Sequence, residues 1–185
     1  MSETKMAVRV REALAEDMSP VSDLVNHFIE TSWFNFRNQP QTTVEWLAEW
    51  ERYSRDYPWL IAETGDEIVG VAYAAPFKLR EAYRWCAEVT IYVSPAHHKK
   101  GVGRALYEKL IPILQQRGFH SVVALVALPN PPSVALHEAF GFVPAGRLQD
   151  AGFKMGEWHD IGFWQLVLTE SSAPPRATRP TDDGY

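Results

Sequence analysis

Apolar and charged residues alternate over Val8-Arg9-Val10-Arg11-Glu12-Ala13, which predicts a short strand. After Asp17 the period changes: Met18, Val21, Leu24, Val25, Phe28 and Ile29 recur at helical spacing, an amphipathic helix. Asp17 or Ser19 suits its cap, and Pro20 is tolerated in a first turn. Residues 31–41 have no period and read as a connection. A second helix is expected over 43–57, opened by Thr42 or Thr43 and closed by Pro58. Residues 59–63 and 68–74 flank Gly65-Asp66 and predict a hairpin. A strand over 85–93, a helix over 101–116 stopping at Arg117-Gly118, and an apolar strand over 121–128 buried on both faces follow. A short helix over 133–140 ends at Gly141, and strands over 142–148 and 160–168 close the pattern. Pro112 removes one helical backbone bond and is expected to kink its helix. The element order gives an α/β fold with a mixed sheet flanked by helices.

The 185 residues suit one domain, taken as 1–170, and 171–185 has little to bury and is expected to be a disordered tail. No apolar run approaches the ~20 residues of a membrane span, and 1–10 has no signal-peptide core. The net charge of −5 argues against general nucleic-acid binding. A single cysteine, Cys86, excludes an intramolecular disulfide framework and fits a reducing cytoplasm. His97 and His98 are adjacent rather than at ligand spacing, so no metal site is expected.

The segment from Tyr92 to Leu106, with Ser94-Pro95, Lys99-Lys100-Gly101-Val102-Gly103-Arg104-Ala105, follows a strand and opens a helix. Unsatisfied N–H groups at a helix start bind anions, and glycines permit close approach. The pattern lacks the spacing of a Walker loop, and Leu106 stands where a dinucleotide fingerprint has its third glycine. A lone Gly-x-Gly equally suits a tight strand–helix turn with solvated lysines.

Strand, basic Gly-x-Gly loop, helix, strand, Asn and helix in that order resemble the acetyl-CoA site of GNAT N-acetyltransferases. The loop is His98-Lys99-Lys100-Gly101-Val102-Gly103, with His98 where that family has Arg or Gln. The second motif is Asn130-Pro131-Pro132-Ser133-Val134-Ala135-Leu136-His137, closed by Phe140-Gly141-Phe142, with His137 in the place of the usual tyrosine. Asn35-Phe36-Arg37, Tyr57-Pro58-Trp59-Leu60, Ala151-Gly152-Phe153-Lys154 and 158–165 extend the similarity to the phosphinothricin N-acetyltransferases over nearly the whole chain. The resemblance implies acetyl-CoA as co-substrate, held by Tyr92, Val93, Ser94, residues 100–105, Asn130 and Ser133. It also implies a homodimer and the detoxification of a herbicidal amino acid, with methionine sulfoximine or the sulfone as alternative acceptors.

Alternation over 85–93 places Cys86, Glu88, Thr90 and Tyr92 on one face. A carboxylate in an apolar strand is costly without a task or partner, although a strand-end charge can also reach solvent. The resemblance gives Glu88 the role of general base and His137 that of proton donor or acceptor, with a backbone N–H near Tyr92 meeting the oxyanion. Tyr107 is a further donor candidate. Lys78, Arg80 and Tyr83 form a polar cluster suited to an anionic substrate, and Phe36, Thr90 and Ile161 are expected in the pocket wall. An acyl-cysteine route through Cys86 is the rival chemistry, and a non-catalytic acyl-CoA sensor is the rival function.

Overall fold

The computed structural model describes residues 7–169. The first alternating segment forms β1 (Arg9–Glu12), with Val10 buried. Its Arg11 guanidinium donates to Asp17 at 2.7 Å and to Glu63 at 2.9 Å, tying the strand to the start of α1 (Met18–Thr31). Asp17 also accepts the Leu14 N–H at 2.7 Å. Its carboxylate is therefore spent on Arg11 and Leu14, and it does not cap the helix as the sequence suggested. α1 buries Met18, Val21, Val25, Phe28 and Ile29, the stripe its period predicts.

Thr42 opens α2 (Thr43–Tyr53) through a reciprocal pair: its hydroxyl accepts the Glu45 N–H, and the Glu45 carboxylate accepts the Thr42 N–H. The helix ends at Tyr53 rather than at residue 57. A turn closed by the Tyr57 N–H on the Tyr53 carbonyl, 2.8 Å, carries the chain to Pro58, whose ring bars helix from its predecessor. β2 (Trp59–Thr64) and β3 (Glu67–Pro76) form the expected hairpin, with Gly65 at φ 60°. Then come β4 (Cys86–Val93), α3 (Val102–Gln116), β5 (Ser121–Leu128) and α4 (Pro131–Ala139). α3 continues through Pro112 and stops before Gly118, which adopts φ 87°. α4 begins two residues earlier than expected, because prolines suit the first helical turn.

The last two strands are much longer than the sequence suggested: β6 (Val143–Lys154) and β7 (Glu157–Val167). They turn on Met155-Gly156, both at positive φ, and their register shifts between Leu148 and Gly152. That irregularity contains Gln149 and Asp150, which break the apolar alternation and hide the outer half of the hairpin. The expected tail, 171–185, lies outside the described residues.

The seven strands make one sheet in the order β1-β2-β3-β4-β5-β7-β6, and β4–β5 is its parallel pair. α1 and α2 cover one face, with Val21, Val25 and Trp46 against Trp59, Ile61 and Val71. α3 and α4 cover the other, where Leu106, Leu110 and Leu114 meet Ala87, Val89, Val122 and Ala124. Each such leucine contributes on the order of 1.5–3 kcal/mol by leaving water. β5 is buried on both faces except at Leu125, which stays 37 % exposed on the side that carries α1 and α2 further along the sheet.

Candidate active site

β4 and β5 begin side by side and then part. Their register runs Cys86↔Ser121, Ala87↔Val122, Glu88↔Val123 and ends there. β4 nevertheless keeps partners in β3 as far as Val93, and β5 keeps partners in β7 as far as Leu128. The strands thus frame an opening between 89–93 and 124–128, whose lips do not bond to each other. The two loops singled out from sequence leave from its wide end, one into α3 and one into α4.

At the start of α3, Gly101 takes φ 85° and its carbonyl accepts the Ala105 N–H at 2.9 Å. The N–H groups of Val102, Gly103 and Arg104 therefore emerge from the positive end of the helix. Lys99, Lys100 and Arg104 are exposed around them. Such a helix start suits an anion such as phosphate, through backbone donors more than through any side chain. Gly103 has a second reason to be glycine, since a Cβ there would stand 3.0 Å from Leu136 Cδ2 on α4. His98 donates through Nε2 to the Val93 carbonyl at 2.9 Å, and its ring lies near Phe28, so this side chain secures the end of β4. Asn130 caps α4 by accepting the Ser133 N–H at 3.3 Å.

Glu88 stands at the apex of the opening, on the face opposite Ala87 and Val89. Burial pushes its carboxyl above the ordinary value, and the nearby Lys78 ammonium opposes that rise. Thr90 and Tyr92 follow on the same face, and their β3 neighbours are Tyr73 and Val71. Burial holds the Tyr92 phenol at about 12, so it stays protonated, and its oxygen accepts the Asn35 amide at 2.9 Å. A partly desolvated carboxylate beside neutral hydroxyls, at the closed end of the opening, suits removal of a proton from a cationic amine.

His137 is placed differently from Glu88. It lies behind the other face, 3 % exposed, with Tyr107 and Phe142 packed against its ring. Its Nδ1 is 3.1 Å from the Tyr107 hydroxyl, and burial lowers its pKa to about 4. The imidazole is neutral at physiological pH.

The profile of the Acetyltransferase (GNAT) family matches residues 24–142. The chain belongs to the GNAT acetyltransferases. It is 51 % identical over 180 residues to a phosphinothricin N-acetyltransferase of Streptomyces viridochromogenes, covering 97 % of this chain and 98 % of that one. An L-methionine sulfoximine/L-methionine sulfone acetyltransferase of Salmonella typhimurium is 31 % identical, over 89 % of this chain and 97 % of its own. Among solved structures, a phosphinothricin acetyltransferase of Sinorhizobium meliloti in complex with acetyl-CoA superposes with a TM-score of 0.87 at 31 % identity. That match covers 97 % of this chain and 96 % of the other.

In this acetyltransferase the connection 32–41 crosses from α1 towards the β6–β7 hairpin and passes beside Tyr92. Phe36 lies against Gly152, where a Cβ would come within 2.3 Å of the ring. Trp33 stacks on His159, 5.2 Å between centroids, and the Lys154 ammonium donates to the Asn35 carbonyl at 2.6 Å. The sequence around Asn35, Tyr73 and Lys154 assigns none of them a role. The spacing of residues 57 and 119 positions apart along the chain carries no local signal for these contacts.

Of the remaining candidates, Ile161 pairs with Ala127 and shares a face with His159. Lys78, Arg80 and Tyr83 sit on the exposed link between β3 and β4, with Tyr83 edge-on to Phe77. Cys86 is half-buried and burial raises its thiol, which favours the protonated, unreactive form. Among the described residues no group of three potential metal ligands converges, and no helix is long and apolar enough to cross a membrane.

Proposed function

We infer that this GNAT acetyltransferase is a phosphinothricin N-acetyltransferase, transferring the acetyl group of acetyl-CoA to the amino group of that herbicidal amino acid and so detoxifying it. The likeness to an enzyme of that name spans nearly the full length of both chains. The observation that carries the mechanism is the placement of Glu88, a half-buried carboxylate at the apex of the β4–β5 opening.

Acetyl-CoA supplies the activated thioester. Its phosphates suit the helix start at 100–105, with 92–94 on the β4 lip and Asn130 and Ser133 across the opening. Glu88 takes the proton of the substrate ammonium, directly or through water, and the freed amine attacks the acetyl carbon. The N-acetyl product forms and CoA leaves as a thiol after gaining a proton. Lys78, Arg80 and Tyr83 meet the acidic groups of the substrate, and Phe36, Thr90 and Ile161 wall its carbon chain.

No proton transfer is proposed for His137, since its neutral imidazole N–H is far less acidic than a thiol and a pKa of about 4 leaves it little basicity; the departing sulfur takes the proton that the attacking nitrogen sheds. The Tyr107 phenol, held far above its usual value by burial, keeps its proton and donates it to Nδ1, which leaves the imidazole proton on Nε2. Exposed Leu148, Phe153, Met155 and Trp158 on the β6–β7 hairpin supply an apolar surface for a homodimer, and the single half-buried cysteine accords with a cytoplasmic protein.

Glu88→Gln tests the assignment. Turnover should fall by ~10²–10⁴ while acetyl-CoA binding by calorimetry is retained. A variant that turns over at the parental rate would remove Glu88 from the mechanism.

A further inference from the structure

We propose that Lys154 is a positioning residue for the acceptor site, holding the segment 33–36 over the face that carries Glu88, Thr90 and Tyr92; the inference rests on the acceptor binding at that face.

Lys154 ends β6 with its side chain buried, 6 % exposed, and among the described residues no carboxylate lies within ion-pair distance of it. A buried ammonium without a counter-charge is costly, and burial accordingly lowers its pKa. The partner that compensates is the Asn35 carbonyl at 2.6 Å. That bond fixes the backbone of a residue whose side chain donates to the Tyr92 hydroxyl at 2.9 Å. Because the Tyr92 oxygen is accepting, its own hydrogen is left to point elsewhere, and Glu88 and Thr90 share its face. Lys154 thus acts on the acceptor pocket through two bonds, without touching the pocket itself.

The same end of the hairpin grips the segment at two further points. The Trp33 ring lies parallel to that of His159, whose Nε2 donates to the Lys154 carbonyl at 3.0 Å and so braces the strand end. Phe36 sits over Gly152 in a space that no other residue would leave open. The hairpin turn, carrying Lys154, therefore sets where Asn35 and Phe36 stand relative to Glu88. These contacts end at the Tyr92 hydroxyl, on the acceptor face, and none reaches the helix start at 100–105 where the phosphates are placed.

The experiment is steady-state kinetics with phosphinothricin and acetyl-CoA varied in turn, on the full chain carrying Lys154→Met, Lys154→Arg and Gly152→Ala. The unmutated protein must first release CoA in the presence of phosphinothricin; failure there would strike the proposed function and not Lys154. With that activity in hand, Lys154→Met should raise the acceptor KM about tenfold, the scale of one lost charge-assisted hydrogen bond. The KM for acetyl-CoA should stay within about twofold of the parent. Lys154→Arg, which keeps a cationic donor, should recover part of the loss, and Gly152→Ala should reproduce the acceptor effect by displacing Phe36. Should Lys154→Met fail to fold, Lys154→Gln, which shortens the side chain and removes the charge, decides the matter by the same comparison of the two KM values. An unchanged acceptor KM in a folded variant, or equal rises in both KM values, would overturn the proposal.

Discussion

Glu88 faces Val123 across the last pair that β4 and β5 share. One step further along either strand the partners are gone, and the backbone of both lips is free to meet a ligand. The carboxylate is therefore fixed by sheet hydrogen bonding on both sides at the point where the sheet opens. A loop residue would lack that restraint, and a residue deeper in the sheet would lack the space.

The raised carboxyl value sets the pH dependence. As the proposed base Glu88 must be ionised, so kcat/KM should fall as pH drops through a value above the ~4.3 of an ordinary glutamate. Lys78→Met removes the charge that opposes the rise, and the acidic limb should move to higher pH. Profiles of kcat/KM in the two proteins check this, and a limb that stays or moves to lower pH contradicts it.

The same shift has a consequence for stability. A carboxyl whose folded pKa lies above its unfolded one destabilises the fold at neutral pH, where both states are ionised. Glu88→Gln should raise Tm at pH 7 while abolishing most turnover. A lower Tm would mean that the carboxylate is satisfied in the fold and is not poised as a base.

His137 titrates in the opposite sense. Its folded pKa of about 4 lies below the 6.5 of an ordinary imidazole, so the unfolded chain binds the extra proton between those values and stability falls as pH falls through them. The full loss is on the order of 3 kcal/mol. Urea midpoints measured from pH 7 down to pH 4 should show this slope, and His137→Phe should flatten it. Equal slopes in both proteins would show that the imidazole is protonated within the fold.

Cys86 shares a face with Glu88 but has no thiolate character. Cys86→Ala should leave kcat within about twofold of the parent. Loss of turnover would revive an acyl-cysteine route.

Much of this arrangement was legible in the chain. The period of α1, the helix start at Thr42, the Gly65 hairpin and the strand–Gly–helix loop are local signals, and each lies where the residues put it. Alternation alone put Glu88, Thr90 and Tyr92 on one face. The outer half of β6–β7 was lost because Gln149 and Asp150 interrupt the pattern, and Met155-Gly156 lacks the Asn or Asp that usually marks such a turn. The clamp of Lys154 on Asn35 was illegible for another reason: its partners are 119 positions apart. For His137 the motif position was visible but its surroundings were not. Only the fold brings Tyr107 and Phe142 around the ring and makes it neutral.

The central claim is the acceptor. CoA release from acetyl-CoA, measured in parallel with phosphinothricin, methionine sulfoximine, methionine sulfone and glutamate, tests it most directly. The account predicts that phosphinothricin gives the highest kcat/KM and that glutamate is turned over poorly. Turnover of the methionine derivatives with little or none of phosphinothricin would contradict it and move the acceptor to that class. Binding of acetyl-CoA with no turnover of any amine would contradict the enzyme itself.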